Sequence, residues 1–356
     1  MDGGLGYGHV VVTFVIQVSG LRYIQFIGTQ RSGSNLLRVM LNQLPEISAP
    51  HPPHILKTFV PLLAGYGDLT VSSNLDRLTS DVCAWVNRNP VSWEPYVADP
   101  AVVAHERPSE DLLGIFLAIS TGKARSEGAQ IWCCKSMETV VYTEMLEQAG
   151  LKPLYIHLFR DGRDVALSFM KAVVGPKHIY ALARKWEQEQ RLALALSRQI
   201  PDERFFSLRY EDLIDQPEFE LRRLCAAIGV PFREEMLSYF QSGESERTAR
   251  AGRMWENLSK PVMASNKEKF LRELSPDQLA VFEQVAGDVL SELGYRRVTS
   301  VRTGESFSQE QLDFFSKENR RLMGAALLQA DPDDLQRRKP QEDLLVEIVK
   351  RNRPNG

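Results

Sequence analysis

The chain has 356 residues, of which 43% are hydrophobic and 25% are charged, a composition ordinary for a globular protein. This length allows one large α/β domain with an appendage, or two modest domains. The net charge of -3 argues against a dedicated nucleic-acid binder, because such proteins are usually basic, but it is compatible with a local basic pocket for a small anion.

The N-terminal apolar run Val10–Val18 is much shorter than the roughly 20 residues that span a bilayer. It also lacks the basic start of a signal peptide, since Asp2 and several glycines precede it. We interpret residues 1–20 as a leader or an extra strand and expect no membrane span. The cysteines are Cys83, Cys133, Cys134 and Cys225. Their spacing matches neither a zinc site nor a redox motif, which favours reduced thiols in a cytoplasmic protein.

Short apolar runs alternate with amphipathic stretches along most of the chain. Buried strands are predicted at Tyr23–Gly28, Ala129–Cys134, Leu154–Phe159 and Phe205–Leu208. Helices are predicted over 36–44, within 51–128, and over 138–148, 164–174, 217–228 and 275–293. A longer helix is predicted after residue 174, with Leu182, Trp186, Ala193 and Leu196 on one side. Strands separated by helices predict an α/β fold with a parallel sheet and helices on both faces.

Beyond about residue 300 the character of the sequence changes, and two further helical stretches follow, over Gln309–Gln329 and from Asp334 to near Lys350. We therefore divide the chain into a leader (1–20), an α/β domain (21–297) and a helical C-terminal extension (298–356). The extension carries no recognisable chemistry. We expect it either to pack on the domain or to form a homo-oligomer.

The polar loop after the first strand has the composition of an anion site. Gly28 and Gly33 have the spacing of a phosphate-binding P-loop, and a helix whose positive dipole end favours anions follows at once. A magnesium-dependent kinase or NTPase would have a lysine where this chain has Ser34, and the cation of this loop is Arg31. A simple strand–helix turn capped by Ser32 or Ser34 is the alternative.

The segment Phe26–Leu37 resembles the 5′-phosphosulfate loop of sulfotransferases that use 3′-phosphoadenosine 5′-phosphosulfate (PAPS), in the branch with an Arg-Ser-Gly-Ser/Thr core that includes tyrosylprotein and many bacterial enzymes. A second segment, Leu158–Phe169, resembles the 3′-phosphate motif of the family, with Arg160 at a strand end and Ser168 eight residues later. A guanidinium offers a planar fork of donors to a phosphate. Taken alone, Arg160 and its charged neighbours would be a turn with local salt bridges.

Two later segments extend the resemblance to roughly residues 21–295. Leu208–Leu213 is similar to a segment whose tyrosine, here Tyr210, lies near the adenine in the family. Asn257–Phe270 is similar to a loop that closes over the 3′-phosphate, and there we assign Lys267 as the contact.

The resemblance implies a P-loop-like central parallel sheet flanked by helices, with PAPS as donor and 3′-phosphoadenosine 5′-phosphate (PAP) as product. The donor-binding residues that it implies are Arg31, Ser32, Gly33, Ser34, Asn35, Arg160, Ser168, Tyr210 and Lys267.

Sulfuryl transfer requires an acceptor oxygen in line with the leaving oxygen, positive charge at that leaving oxygen, and a base for the acceptor proton. The transferred group carries less charge than a phosphoryl group, so we expect a metal-independent reaction. Arg31 is the expected catalytic partner of the leaving oxygen, and Lys135 is a helper at a neighbouring strand end.

We expect His51 to be the catalytic base. Phenol and steroid sulfotransferases use a histidine in a Lys-Thr-His segment, but this chain has Met137 at that place. The tyrosylprotein branch instead has a glutamate about twenty residues after the loop arginine, where this chain has His51. Histidine suits the role because its unperturbed pKa is near neutrality. His54 and Glu46 are alternatives.

Two other functions remain as alternatives. A P-loop nucleotide kinase or NTPase is disfavoured by the missing lysine, and a non-catalytic nucleotide-binding relative is suggested by Met137. We expect the acceptor to be a hydroxyl on a small molecule or a peptide. Residues 51–128 and 240–265 are expected to shape its pocket.

Overall fold

The computed structural model describes residues 20–304 and 306–352, so the predicted leader lies almost entirely outside the described residues. At its centre is a five-stranded sheet with the strand order β2-β3-β1-β4-β5, in which all neighbouring strands are parallel. The strands are β1 Arg22–Ile27, β2 Ile47–Ser48, β3 Ile131–Cys134, β4 Leu154–Phe159 and β5 Phe205–Arg209.

Helices connect the strands and cover the sheet. Those before β4 are α1 Ser34–Leu41, α2 Ile55–Phe59, α3 Ser72–Asn87, α4 Pro100–Glu106, α5 Leu112–Ser126 and α6 Thr143–Gln148. Those after β4 are α7 Gly162–Lys171, α8 Ile179–Ser197, α9 Tyr210–Asp215, α10 Pro217–Ile228, α11 Gly243–Arg250, α12 Phe270–Glu273, α13 Pro276–Glu292, α14 Gln309–Leu328 and α15 Pro332–Arg351. No helix in these ranges is long and apolar enough to span a bilayer.

The position of β1 in the sheet creates the site of interest. β1 lies between β3 and β4, with Ile24 paired to Cys133 on one side and to Leu154 on the other. The chain therefore leaves β1 toward one half of the sheet and later returns to its other side. Such a switch in direction opens a crevice at the carboxyl ends of the strands, where ligands bind in open α/β sheets.

Hydrophobic clusters cover both faces of the sheet because successive strand residues point to opposite sides. Trp132 of β3 belongs to a cluster with residues of α3 and α5, whereas Cys133 belongs to another with residues of α1 and α10. Leu344 and Ile348 of α15 join the first cluster, so the C-terminal helices pack on the domain. The cysteines are free and buried.

The predicted fold class and the predicted strands are confirmed, with strand ends shifted by at most two residues. The edge strand β2 was not predicted, because two residues carry no periodicity. The helix predicted over 138–148 begins as a 3₁₀ helix, Met137–Tyr142, before α6. The helix predicted over 164–174 is α7, which begins and ends earlier.

Candidate active site

The loop between β1 and α1 has positive φ angles at Gly28 (116°), Arg31 (73°) and Gly33 (88°). A Cβ atom at Gly33 would lie 2.3 Å from the ring of Tyr210, so only glycine fits there. α1 begins at Ser34 with neither an acidic residue in its first turn nor a side-chain cap. Its unpaired N–H groups and its positive dipole end are therefore available to an anion.

Arg160 lies where β4 ends. Its Nη2 donates to the Asn266 carbonyl oxygen at 2.8 Å, and Asp164 Oδ2 lies 3.3 Å from the same nitrogen. The guanidinium lies 4.6 Å from the centre of the Tyr210 ring. Arg160 Nε, however, is buried and has no hydrogen-bond partner. A buried donor without a partner is costly, so this atom fits a ligand oxygen.

Arg31 extends from the loop toward the second motif. Its Nε donates to Ser168 Oγ at 3.0 Å, and its own carbonyl oxygen accepts from Arg160 Nη1 at 3.4 Å. Burial and the neighbouring Arg160 lower the pKa of Arg31 to about 10, so the side chain is charged at neutral pH. Within the described ranges, Asp164 is the single carboxylate that forms an ion pair with either arginine. The site therefore has an excess of positive charge.

A cavity of about 880 Å³ opens over this loop. Ser34 and Asn35 line it, and Ser32 Oγ is buried beside them in the loop without a hydrogen-bond partner. The residues that the structure brings together here are Arg31, Ser32, Gly33, Ser34, Asn35, Arg160, Ser168 and Tyr210.

The structure does not bring Lys267 to this group. Lys267 pairs with Asp215 and does not line the cavity. Asn266 and Lys269 line it instead, and Asn266 Nδ2 donates to the Tyr210 hydroxyl at 2.7 Å. Sequence reasoning missed these two residues because a polar loop gives no sign of which side chains turn inward.

His51 lines the same cavity. Its Nδ1 lies 3.2 Å from Asn89 Oδ1, whereas its Nε2 is buried without a partner. The orientation of the Asn89 amide is fixed, because its Nδ2 donates to the Pro52 carbonyl and its Oδ1 accepts from the Val91 N–H, both at 3.2 Å. Since Asn89 Oδ1 can only accept, His51 Nδ1 carries the proton and Nε2 keeps a free lone pair.

The electrostatic surroundings keep His51 neutral. Burial, together with the positive charges of Arg38 and Lys135, holds the pKa of His51 well below its usual range. Trp255 packs edge-on against the imidazole with ring centroids 4.8 Å apart. A neutral, oriented imidazole with a free lone pair has the properties of a general base.

The alternative bases are placed differently. His54 also lines the cavity, but its Nδ1 faces Glu138 Oε2 at 3.8 Å, and burial is the main reason that its pKa is lowered to about 3. Glu46 pairs with Arg233 at 2.9 Å, and it does not line the cavity. His51 is therefore the better placed of the three.

Lys135 follows β3 and lines the cavity as well. Burial, with Arg38 and Arg31 nearby, lowers the pKa of Lys135 to about 7. Met137 is fully buried, and its methyl group would lie 3.4 Å from a Cβ placed on Gly28, so its role is packing beneath the loop. Within the described ranges, no group of three or more His, Cys, Asp or Glu side chains could hold a metal ion.

The sequence profile of the sulfotransferase family matches residues 24–234, more than half of the chain. A putative protein-tyrosine sulfotransferase of Caenorhabditis briggsae is 22% identical over 313 residues, which are 85% of this chain and 99% of that protein. Protein-tyrosine sulfotransferase A of Caenorhabditis elegans is 20% identical over 274 residues, which are 75% of this chain and 66% of that protein.

A solved structure shares the fold. It is the sulfotransferase domain from the olefin synthase of Synechococcus PCC 7002, which is 22% identical to this chain. The superposition has a TM-score of 0.50 and covers 74% of this chain and 94% of that domain.

Proposed function

This chain belongs to the sulfotransferase family and is a sulfotransferase, and on that premise we propose that it transfers a sulfuryl group from PAPS to a hydroxyl of a small molecule or a peptide. One observation carries the proposal. The two arginines Arg31 and Arg160 border the same cavity as His51. Arg160 Nε and His51 Nε2 both lack a hydrogen-bond partner. An anion site and a base thus share one enclosure.

The loop residues Ser32–Asn35 would hold the 5′-phosphosulfate through backbone N–H groups and hydroxyls, as the N-terminus of α1 favours. Arg160 and Ser168 would hold the 3′-phosphate, for which the free Arg160 Nε is a suitable donor. Arg31 reaches Ser168 from the loop, which supports neighbouring positions for the two anionic groups. Tyr210 offers its ring for the adenine.

When bound, the donor supplies a sulfuryl group on a phosphate leaving group. His51 Nε2 would take the proton of the acceptor hydroxyl as that oxygen attacks. Arg31 and Lys135 would stabilise the negative charge that develops on the leaving oxygen. The abstracted proton would stay on His51 Nε2, while Nδ1–H would go on donating to Asn89 Oδ1, which accepts a hydrogen bond from the imidazolium as well as from the neutral ring.

The test is a calorimetric titration with PAP, and with ATP and magnesium as the comparison. We expect PAP to bind and ATP to bind weakly. Arg160→Ala should weaken PAP binding at least about 30-fold, since losing a buried charge contact costs about 2 kcal/mol or more. Arg337→Ala is the control, because Arg337 is exposed and does not line the cavity. A preference for ATP with magnesium, or no PAP binding, would contradict the proposal.

A further inference from the structure

The C-terminal helices form part of the cavity wall. Ala326 near the end of α14, Ala330 just beyond it, and Asp334 and Arg338 of α15 all line the cavity that contains His51. These residues lie beyond the part of the chain that matches the family profile. The two phosphate-binding motifs of the sequence, around Arg31 and Arg160, therefore do not account for their presence at the cavity.

α15 is held firmly in this position. Its Leu344 and Ile348 are buried in the first hydrophobic cluster. Gln341 Nε2 donates to the Trp85 carbonyl oxygen at 3.0 Å, and Arg351 pairs with Asp81. The start of the helix is thereby fixed at the cavity.

α15 also contacts the side chain that supports His51. The Arg338 guanidinium lies 5.4 Å from the centre of a Trp255 ring, and Trp255 packs against His51. Asp334 Oδ1 accepts from Arg338 Nε at 2.9 Å and would lie 3.0 Å from a Cβ at Gly252. The extension thus packs closely on the segment that precedes and includes Trp255.

α14 contacts the other side of the cavity. Asn319 Oδ1 accepts from the backbone N–H groups of Lys177 and His178, at 2.8 and 3.0 Å. These residues follow Val173 and Val174, which line the cavity. The two helices therefore connect the segment after α7 with the segment around Trp255. The loop between the helices lines the cavity as well.

The wall made by these segments has an apolar part beside its charged and amide groups, and two of the charged groups, Asp334 and Arg338, pair with each other. The apolar part consists of the two alanines of the extension and of half-buried aliphatic and methionine side chains, which are Met170, Val173, Val174, Met254, Val262 and Met263. Such side chains suit an apolar ligand body, and methionines adapt to its shape.

We propose that the C-terminal extension completes the acceptor half of the active site, and that the acceptor carries its hydroxyl on an apolar aryl or alkyl body that lies against Ala326 and Ala330. This inference depends on the proposed sulfotransferase reaction, but it concerns the acceptor alone. Filling the space beside Ala330 should exclude long acceptors more strongly than short ones.

The test compares 4-octylphenol with p-nitrophenol as acceptors, with PAPS as donor, in the full chain. We expect Ala330→Phe to lower the ratio of kcat/KM for 4-octylphenol to that for p-nitrophenol at least tenfold, and Ala326→Phe to do the same. Leu328→Phe is the matched control, because Leu328 is 90% exposed and does not line the cavity. PAP binding, measured by calorimetry, should be equal in all these proteins.

The outcomes separate the two proposals. Failure of the wild-type protein to bind PAP would overturn the proposed function itself. Two results obtained with normal PAP binding would overturn the assignment of the extension to the acceptor site. One is an unchanged ratio of the two kcat/KM values in both alanine variants, and the other is that the wild type sulfates neither phenol.

Discussion

Asn89 Oδ1 accepts a hydrogen bond from His51 Nδ1 over 3.2 Å and is itself held by the Val91 N–H. This contact determines which imidazole nitrogen is free to face the cavity. Trp93 Nε1 adds a further restraint by donating to the His51 carbonyl oxygen at 2.8 Å. Asn89 is therefore a positioning residue for the proposed base, and its substitution should change the proton affinity of His51.

Asn89→Asp should move the acidic limb of the pH–kcat profile upward by about 1 to 3 pH units. In the wild type the pKa of His51 lies well below 6.5, so the neutral base persists into mildly acidic solution. A carboxylate beside Nδ1 stabilises the imidazolium and raises this pKa. As the pH falls, the variant should therefore lose activity at a higher pH than the wild type. Asn89→Leu, which adds no charge, is the control. An unchanged limb in Asn89→Asp, with His51→Ala inactive, would contradict this role for Asn89.

PAP binding at pH 8 should be accompanied by proton uptake at Lys135. In the free protein, burial and the nearby Arg38 and Arg31 lower the pKa of Lys135 to about 7, so it is largely neutral at pH 8. A bound anion favours the ammonium form and raises this pKa. Titrations in Tris and in HEPES should give different apparent enthalpies for the wild type and a smaller difference for Lys135→Met. Equal enthalpies for the wild type in both buffers would refute the prediction.

Affinity for PAP should also fall as the pH rises from 7 to 9, because an increasing share of the binding energy is used to protonate Lys135. Titrations across that range test the sign directly. Lys135→Met should bind more weakly at pH 7 and show a flatter dependence. A steeper dependence in the variant would be inconsistent with the assignment.

Gly33→Ala should weaken PAP binding at least tenfold while the protein stays folded. Its Cβ would lie 2.3 Å from the Tyr210 ring, and a φ of 88° is unfavourable for alanine. The loop and the ring, which border the proposed donor site, must therefore move apart. Gly324→Ala is the control, since no atom lies within 4 Å of its added Cβ. Calorimetry and circular dichroism separate loss of binding from loss of fold; wild-type affinity in Gly33→Ala would count against this geometry.

Arg163→Ala should reduce the free energy of unfolding by about 3 to 5 kcal/mol, because it leaves buried carboxylates unpaired. Arg163 Nη1 lies 2.6 Å from Glu283 Oε1 and Nη2 lies 2.7 Å from Asp161 Oδ2, with all three side chains buried. Urea unfolding measures the change. Arg222→Ala, which breaks an exposed pair with Glu218, should cost less than about 1 kcal/mol. Equal losses in the two variants would contradict the buried role.

Much of the fold, and the meeting of Arg31 and Arg160 at one cavity, could be predicted because the relevant signals are local. The strand, the glycines and the helix around Arg31 occupy one short segment, and Arg160 follows the end of an apolar run. The placement of Arg163 in a buried ion-pair cluster was not predicted, since a charged turn has the same sequence whether it is exposed or covered. The burial of Arg163 depends on Glu283, far along the chain.

The surroundings of His51 could be predicted only in part, because their contacts join distant segments. His51 was proposed because it follows Arg31 by about twenty residues along the sequence. Neither Asn89 nor Trp255, however, has a local motif that marks it as a neighbour of His51. Likewise, the inward position of Arg338 depends on the packing of α15 against α3 and α5. The amphipathic pattern of α15 predicted a helix without saying what the helix covers.

The docking of α15 also has a consequence for the order in which the protein can assemble. The first hydrophobic cluster is built largely from residues of α2, α3 and α5, near the beginning of the chain, yet Leu344 and Ile348 near its end complete that cluster. During synthesis from the N-terminus, part of the apolar surface of these early helices therefore stays uncovered until α15 has emerged from the ribosome. A product that ends before α15 would leave this surface uncovered and would lack the cavity-lining side chains of Asp334 and Arg338.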